Sequence, residues 1–76
     1  MSIEDRVKKI VCDQLGKSMD EIQSDSSFVD DLGADSLSVV EIVMDIESEY
    51  EVEIPDEDAE TLFTVADIKQ WIEDNS

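Results

Sequence analysis

The chain has 76 residues, of which 41% are hydrophobic, and a formal net charge of -17 from 22 acidic and 5 basic side chains. This length predicts one small domain over residues 1–76 that buries only about 60% of its unfolded surface, so a large active-site cavity is not expected. The acidic charge excludes nucleic acids and anionic membranes as partners and favours basic patches on other proteins.

The first predicted helix begins after Ser2, which can cap it, with Asp5 at the third helical position. It ends at Gly16, and its apolar residues recur at helical spacing: Ile3, Val7, Ile10, Val11 and Leu15. Cys12 falls nearly opposite the centre of this apolar face, so we expect a partly exposed thiol without a function. A single cysteine cannot form an intramolecular disulfide, which favours a reducing compartment.

A long connection follows over residues 17–35, and a segment of this length in a small domain is usually functional or anchored to the core. Ser18 and Glu21 resemble a capping box, which predicts one brief helical turn. Four apolar side chains are expected to anchor the connection: Met19, Ile22, Phe28 and Leu32.

The second helix is predicted to begin at Asp35 or Ser36 and to run to about residue 50, with one apolar face in the core: Val39, Ile42, Val43, Ile46 and Tyr50. A second apolar stripe lies roughly 130° away around the helix. It consists of Leu37, Val40 and Met44 and is surrounded by acids: Glu41, Asp45 and Glu47. This pattern predicts a docking surface. The alternative, that Leu37 or Val40 packs beneath the long connection, stays open at this point.

Residues 50–54 alternate apolar and acidic side chains, as a short strand would, but the sequence offers no partner strand. An isolated strand would leave its backbone groups unpaired. We therefore predict an extended segment that directs Tyr50, Val52 and Ile54 towards the core and ends at Pro55.

Asp56 is expected to cap a short third helix over residues 57–60, with Leu62 and Phe63 closing inward. Thr64 should cap the last helix, with Asp67 three positions later, and the buried side of that helix comprises Val65, Ile68 and Ile72. The sequence thus predicts an all-α fold, a four-helix bundle with a short third helix and a long loop between helices 1 and 2.

Catalytic chemistry finds little support in the sequence. There is no histidine, so neither Cys12 nor Ser36 has an imidazole to activate it. The chain is also too small to desolvate a pair of carboxylates in a cleft, so we do not expect an enzyme. No segment matches a calcium-binding EF-hand loop, and only weak Mg²⁺ or Ca²⁺ sites are expected near Asp30, Asp31 and Asp35.

Ser36 is the residue that most needs an explanation. It lies at the predicted start of the second helix, where backbone N–H groups and the helix dipole favour an attached phosphate. A hydroxyl beside Asp35 and ahead of a docking helix suits modification by another enzyme. An ordinary helix cap is the competing interpretation for this serine.

Five segments match one known family: RVKKIV at 6–11, QLG at 14–16, SFVDDLGADSL at 27–37, VEIVM at 40–44 and EIPDEDAE at 53–60. With these segments the whole chain resembles the free-standing acyl carrier proteins of type II fatty acid synthesis. The resemblance implies that Ser36, flanked by Asp35 and Leu37, receives 4'-phosphopantetheine from coenzyme A. The thiol of that arm would then carry acyl groups as thioesters.

The resemblance also implies two sets of binding residues. Partner enzymes would contact Asp35, Leu37, Val40, Glu41, Met44 and Glu47. The acyl chain would be sheltered by Val7, Phe28, Val40, Val43, Ile46, Ile54, Ala59, Leu62 and Ile68. Four positions depart from the family pattern. Ser38 stands where many relatives have an acid, Asp45 and Ser48 also differ from the pattern along this helix, and Trp71 is unusual in a family often poor in tryptophan.

The implied partners are a Mg²⁺-dependent phosphopantetheinyl transferase (holo-ACP synthase), malonyl-CoA:ACP transacylase, ketoacyl synthases, ketoacyl reductase, dehydratase, enoyl reductase and acyltransferases. We expect a monomer in the bacterial cytoplasm, or in an organellar matrix or stroma if a transit peptide was removed. Two alternatives remain open. One is a carrier for polyketide, nonribosomal peptide or teichoic acid assembly, and the other is an acidic interaction or cation-sensing module without a prosthetic group.

Overall fold

The computed structural model describes residues 2–75, which fold into α-helices joined by turns and contain no β-strand. The elements are α1 (Ile3–Leu15), a 3₁₀ turn (Met19–Glu21), α2 (Ser36–Tyr50), α3 (Asp56–Ala59) and α4 (Val65–Asn75). Helix α1 packs against both α2 and α4. The predicted all-α fold, with a short third helix and a long loop after the first, is confirmed.

Hydrogen bonds at the ends of α1 and α4 explain where these helices begin and stop. The Ser2 hydroxyl accepts a bond of 3.1 Å from the Asp5 N–H, and Gly16 ends α1 with a left-handed φ of 66°. Before α4, the Thr64 hydroxyl accepts from the Asp67 N–H, while the Asp67 carboxylate accepts from the Phe63 N–H, each at 3.1 Å. These predicted caps are confirmed.

The C-terminal end of α2 is held by Glu47. Its backbone carbonyl accepts bonds from the N–H groups of Glu51 and Val52, and its carboxylate accepts a bond of 2.8 Å from the Ile54 N–H. These bonds provide acceptors for backbone N–H groups of the extended segment after α2, which pairs with no strand within residues 2–75. Glu51 takes a left-handed conformation with a φ of 53°, which is unfavourable for a residue with a Cβ atom.

The core lies among the helices and beneath the long connection. The largest fully buried side chains are Phe28, Ile22, Ile42, Ile46, Ile68, Ile72, Val7, Val11 and Val65. Ile22, Phe28 and Leu32 are buried and anchor the connection as predicted, whereas Met19 is 41% exposed and contacts the surface of α1, so it anchors the connection only in part. None of the helices described between residues 2 and 75 has the length and apolar character that crossing a membrane requires.

Cys12 is buried, and the prediction of a partly exposed thiol is therefore wrong. The 3₁₀ turn brings Met19 over this side of α1, where the Cys12 sulfur lies 3.6 Å from the Met19 sulfur. Helical periodicity within α1 could not reveal a cover supplied by the following turn. Burial raises the pKa of the Cys12 thiol, which makes the thiol a poorer nucleophile at neutral pH.

Two predictions around α3 are also wrong. Asp56 is the first residue of α3 instead of its cap, because the carbonyl of Pro55 already accepts bonds from the N–H groups of Asp58 and Ala59 at 3.0 and 2.9 Å. Phe63 does not close inward, since its side chain is 58% exposed. Its carbonyl accepts a bond of 2.9 Å from the Phe28 N–H, a contact between distant segments that fixes the backbone here.

Candidate attachment and docking site

Asp35, and not Ser36, caps helix α2. An Asp35 carboxylate oxygen accepts a bond of 2.8 Å from the Ser38 N–H, and Ser36 occupies the first helical position with an exposed side chain. Within residues 2–75, no hydrogen bond engages the Ser36 hydroxyl. The interpretation of Ser36 as an ordinary cap is therefore wrong, and its hydroxyl is free to be modified.

The carboxylate of Asp35 changes the environment that a phosphate on Ser36 would have at the start of α2. Hydrogen bonds from Ser38, above all from its backbone N–H, lower the pKa of Asp35, so this side chain stays charged to a lower pH than an ordinary aspartate. Asp35 thus uses an N–H group that was expected to favour a phosphate. A phosphate on Ser36 would lie beside a negative carboxylate at the positive end of the helix dipole.

A groove of about 570 Å³ begins at Ser36 and runs between helix α2 and the chain segments around α3. Its lining residues are Phe28, Val29, Ser36, Val39, Val40, Val43, Met44, Glu47, Ile54, Asp56, Ala59, Glu60, Leu62 and Phe63. The groove is partly open to solvent and is therefore not an enclosed cavity, and its volume is large for a domain in which no large active-site cavity was expected.

Most residues predicted to shelter an acyl chain line this groove: Phe28, Val40, Val43, Ile54, Ala59 and Leu62. The structure places the other three, Val7, Ile46 and Ile68, in the core outside the groove lining. Hydrophobic periodicity shows that a residue faces inward, but it does not distinguish the centre of a core from the wall of a groove.

Several groove residues were missed by the sequence analysis: Val29, Val39, Met44, Phe63 and the acids Glu47, Asp56 and Glu60. Val39 had been assigned to the core and Met44 to the docking stripe, so the helical pattern had already identified both as apolar positions of interest. No sequence signal pointed to Val29. Phe63 is placed beside the groove by the hydrogen bond from the Phe28 N–H to its carbonyl, a contact that only the tertiary structure reveals.

The docking stripe of α2 is exposed as predicted. The side chains of Leu37, Val40 and Met44 are 65%, 52% and 60% exposed. The alternative that Leu37 or Val40 packs beneath the long connection is therefore wrong. An exposed apolar stripe of this kind on a small domain is typical of an interaction site.

The acids around the stripe differ in their exposure and in the hydrogen bonds that they make. Glu41 is exposed and makes no ion pair or hydrogen bond among the described residues. Asp45 accepts a hydrogen bond from the Gln14 side chain, and Glu47 is half-buried because its carboxylate binds the Ile54 N–H. Glu47 therefore has a structural role, in addition to its predicted role in partner binding.

Two of the acids in the region predicted to hold weak cation sites make hydrogen bonds within the protein. The carboxylate of Asp31 accepts a bond of 2.8 Å from the Ser27 N–H, and the Asp30 N–H donates to the Ser27 hydroxyl. Within residues 2–75 no group of three or more potential ligands has a geometry suited to a metal ion. Weak binding of Mg²⁺ or Ca²⁺ near Asp30, Asp31 and Asp35 stays a prediction.

Comparisons with known proteins show which family this chain belongs to. The family model described as "Phosphopantetheine attachment site" matches residues 5–72. An acyl carrier protein of Bdellovibrio bacteriovorus is 52% identical over 73 residues, which cover 96% of this chain and 94% of that protein. A solved structure of a candidate acyl carrier protein from Mycobacterium tuberculosis matches with a TM-score of 0.87 at 26% identity, covering 95% of this chain and 96% of the other.

These matches contradict the alternative of an acidic module without a prosthetic group. The chain belongs to the acyl carrier proteins, and it is a carrier of acyl groups on covalently attached 4'-phosphopantetheine for fatty acid synthesis, not an enzyme.

Proposed function

We propose that Ser36 is the residue to which 4'-phosphopantetheine is attached, with Asp35 and Leu37 beside it in the attachment site. The observation that carries this proposal is the exposed Ser36 hydroxyl, which has no hydrogen-bond partner among residues 2–75 and opens onto the groove. The Ser36 oxygen would form a phosphodiester as the pyrophosphate bond of coenzyme A breaks and adenosine 3',5'-bisphosphate leaves. The chain has no histidine, so the serine proton would pass to a carboxylate or to a base of the transferase.

The groove is proposed to shelter the acyl chain carried on that arm. Burial of each CH₂ group contributes about 0.8 kcal/mol, so a chain of several carbons can favour the groove over water. Phe28, Val40, Val43, Ile54, Ala59 and Leu62 would contact the chain first, because they already line the groove. Val7, Ile46 and Ile68 would be reached only by a longer chain that displaces part of the core.

Partner enzymes are proposed to dock on α2 and its surroundings, through Asp35, Leu37, Val40, Glu41, Met44 and Glu47. Residues 18–68 contain no lysine or arginine, so the field around Ser36 attracts basic surfaces. Charges at the rim of an interface act mainly on the association rate, which suits brief contacts with successive enzymes. We propose as partners the phosphopantetheinyl transferase, malonyl-CoA:ACP transacylase, ketoacyl synthases, ketoacyl reductase, dehydratase, enoyl reductase and acyltransferases.

We further propose that residues 1–76 form one carrier domain that acts as a monomer in a bacterial cytoplasm. A charge of -17 on each copy opposes self-association. The 52% identical relative is bacterial, which supports a bacterial setting.

The attachment site is tested by intact mass spectrometry after incubation with coenzyme A, Mg²⁺ and a phosphopantetheinyl transferase. We expect the protein to gain the mass of one phosphopantetheine, or to carry it already when purified. Ser36→Ala should abolish the gain, whereas Ser38→Ala, two positions along the same helix, should retain it. The proposal fails if Ser36→Ala is still modified, or if a transferase proven active on another carrier adds nothing to wild-type protein whose mass as purified shows no phosphopantetheine.

A further inference from the structure

Exposed apolar side chains are concentrated around the groove. The large hydrophobic residues that are exposed within residues 2–75 are Met19, Val29, Leu37, Val40, Met44 and Phe63. All except Met19 either line the groove or adjoin Ser36 in sequence. Two of them, Val29 and Phe63, do not belong to α2, so the exposed apolar surface continues beyond the helix that carries the docking stripe.

Val29 and Phe63 are held in neighbouring segments by backbone bonds. The Phe28 N–H donates to the Phe63 carbonyl at 2.9 Å, and the Phe63 N–H donates to the Asp67 carboxylate at 3.1 Å. The backbone of Phe63 is therefore fixed on both sides, while its side chain remains 58% exposed. An aromatic ring presented from a fixed backbone can bind a partner with little loss of conformational entropy.

The charges around these two residues indicate what kind of partner would bind. Val29 is followed by Asp30 and Asp31, and Glu60 precedes Phe63 by three positions in a segment without any basic residue. The result is an apolar strip with an acidic border. Its complement is a protein surface with an apolar centre and a border of Lys and Arg. A second copy of this chain would place acids against acids, and an anionic lipid surface would be repelled.

We propose that Val29 and Phe63 form a second contact strip, so that an enzyme acting at Ser36 touches the carrier on both sides of the groove mouth. This inference rests on the proposed function of Ser36. Phe63 would be the main anchor of the strip, since aromatic residues at the centre of an interface dominate its binding energy. Carrier recognition is then not confined to α2.

Steady-state kinetics of a phosphopantetheinyl transferase, with coenzyme A, Mg²⁺ and the carrier as the varied substrate, test the strip. For Phe63→Ser we expect kcat/KM to fall at least about fivefold, mainly through a higher KM, with a smaller fall for Val29→Ser. Phe63→Leu should restore part of the loss. Met19→Ser is the matched control, because it removes an exposed apolar side chain away from the groove, and it should change kcat/KM less than about twofold.

Circular dichroism first establishes that each variant is folded. The inference is overturned if Phe63→Ser behaves like Met19→Ser, or if Phe63→Ser only accelerates hydrolysis of a loaded hexanoyl thioester, because the ring would then cover cargo. Binding to phosphatidylcholine vesicles that Phe63→Ser abolishes would assign the strip to a membrane and also overturn it. Failure of the transferase to modify the wild-type protein would instead refute the proposed function of Ser36.

Discussion

The hydrogen bond between Trp71 and Asp58 gives a direct test of how α3 is held. The Trp71 indole N–H in α4 donates to an Asp58 carboxylate oxygen in α3 at 3.0 Å. Helix α3 has four residues, and no side chain in the described part of the chain accepts a hydrogen bond from the N–H groups at its N-terminus. Because Ala59 of α3 lines the groove, this bond supports one wall of the proposed acyl site.

Replacing Trp71 by Phe removes the donor and keeps an aromatic ring. A hydrogen bond to a charged group contributes about 1.5–3 kcal/mol, and we take a value at or just below the lower end of this range because water reaches both half-buried partners. We therefore expect Trp71→Phe to lower the free energy of unfolding by about 1–1.5 kcal/mol, which corresponds to a fall in Tm of about 4–12 °C. Asp58→Asn keeps an acceptor oxygen and should cost less than half as much.

Urea denaturation followed by far-UV circular dichroism measures these differences, since Trp71 is the single tryptophan and its fluorescence is lost in the variant. The double variant with Asp58→Ala then gives the coupling energy between the two side chains, expected at about 0.5–1.5 kcal/mol. Glu57→Gln, a neighbouring acid of α3, is the matched control. A coupling energy below about 0.3 kcal/mol would show that the bond does not hold α3 in solution.

Three further predictions concern the backbone, the pH dependence and the net charge. Glu51→Gly should raise the free energy of unfolding by about 0.5–1 kcal/mol, because glycine adopts the positive φ without the side-chain penalty. Glu51→Gln removes only the charge and should raise the free energy of unfolding by less in the same urea experiment. Since its pKa is lowered from 3.8 in the folded state, Asp35 should stabilise the fold above that pH and lose this contribution as the pH falls through the lowered value. Titration of the Asp35 carboxyl by NMR should accordingly give a midpoint below 3.8, and an unshifted midpoint would argue against the cap. Added salt or millimolar Mg²⁺ should raise the Tm by screening the charge of -17. If neither changes the Tm, repulsion among the acidic side chains does not limit the stability of the fold.

Features governed by local interactions were predicted well from the sequence. The caps at Ser2 and Thr64 and the end of α1 at Gly16 depend on residues within one helical turn, and all three are observed. The exposed stripe of α2 followed from helical spacing alone. These features need no knowledge of where other segments pack.

Several incorrect predictions arise from contacts between separate segments, whereas the errors at Asp56 and Ser36 concern which of two neighbouring residues caps a helix. Cys12 is buried because the 3₁₀ turn returns over α1, and the position of Phe63 is fixed by a bond from Phe28. The groove likewise depends on how far α3 stands from α2, so the sequence could not separate its lining residue Val43 from the core residue Ile46. Ser36 was identified correctly as an exposed helix start, although the residue that caps the helix proved to be its neighbour.

Val40 and Met44 belong to two surfaces at once, because each is exposed on the outside of α2 and also lines the groove. The atoms that would touch a sheltered chain are therefore continuous with those that a partner would touch. If the groove shelters the acyl chain as proposed, a loaded carrier and an empty one would present different outer surfaces without any rearrangement of the fold. An enzyme could distinguish substrate from product carriers by direct contact, before the thioester enters its active site.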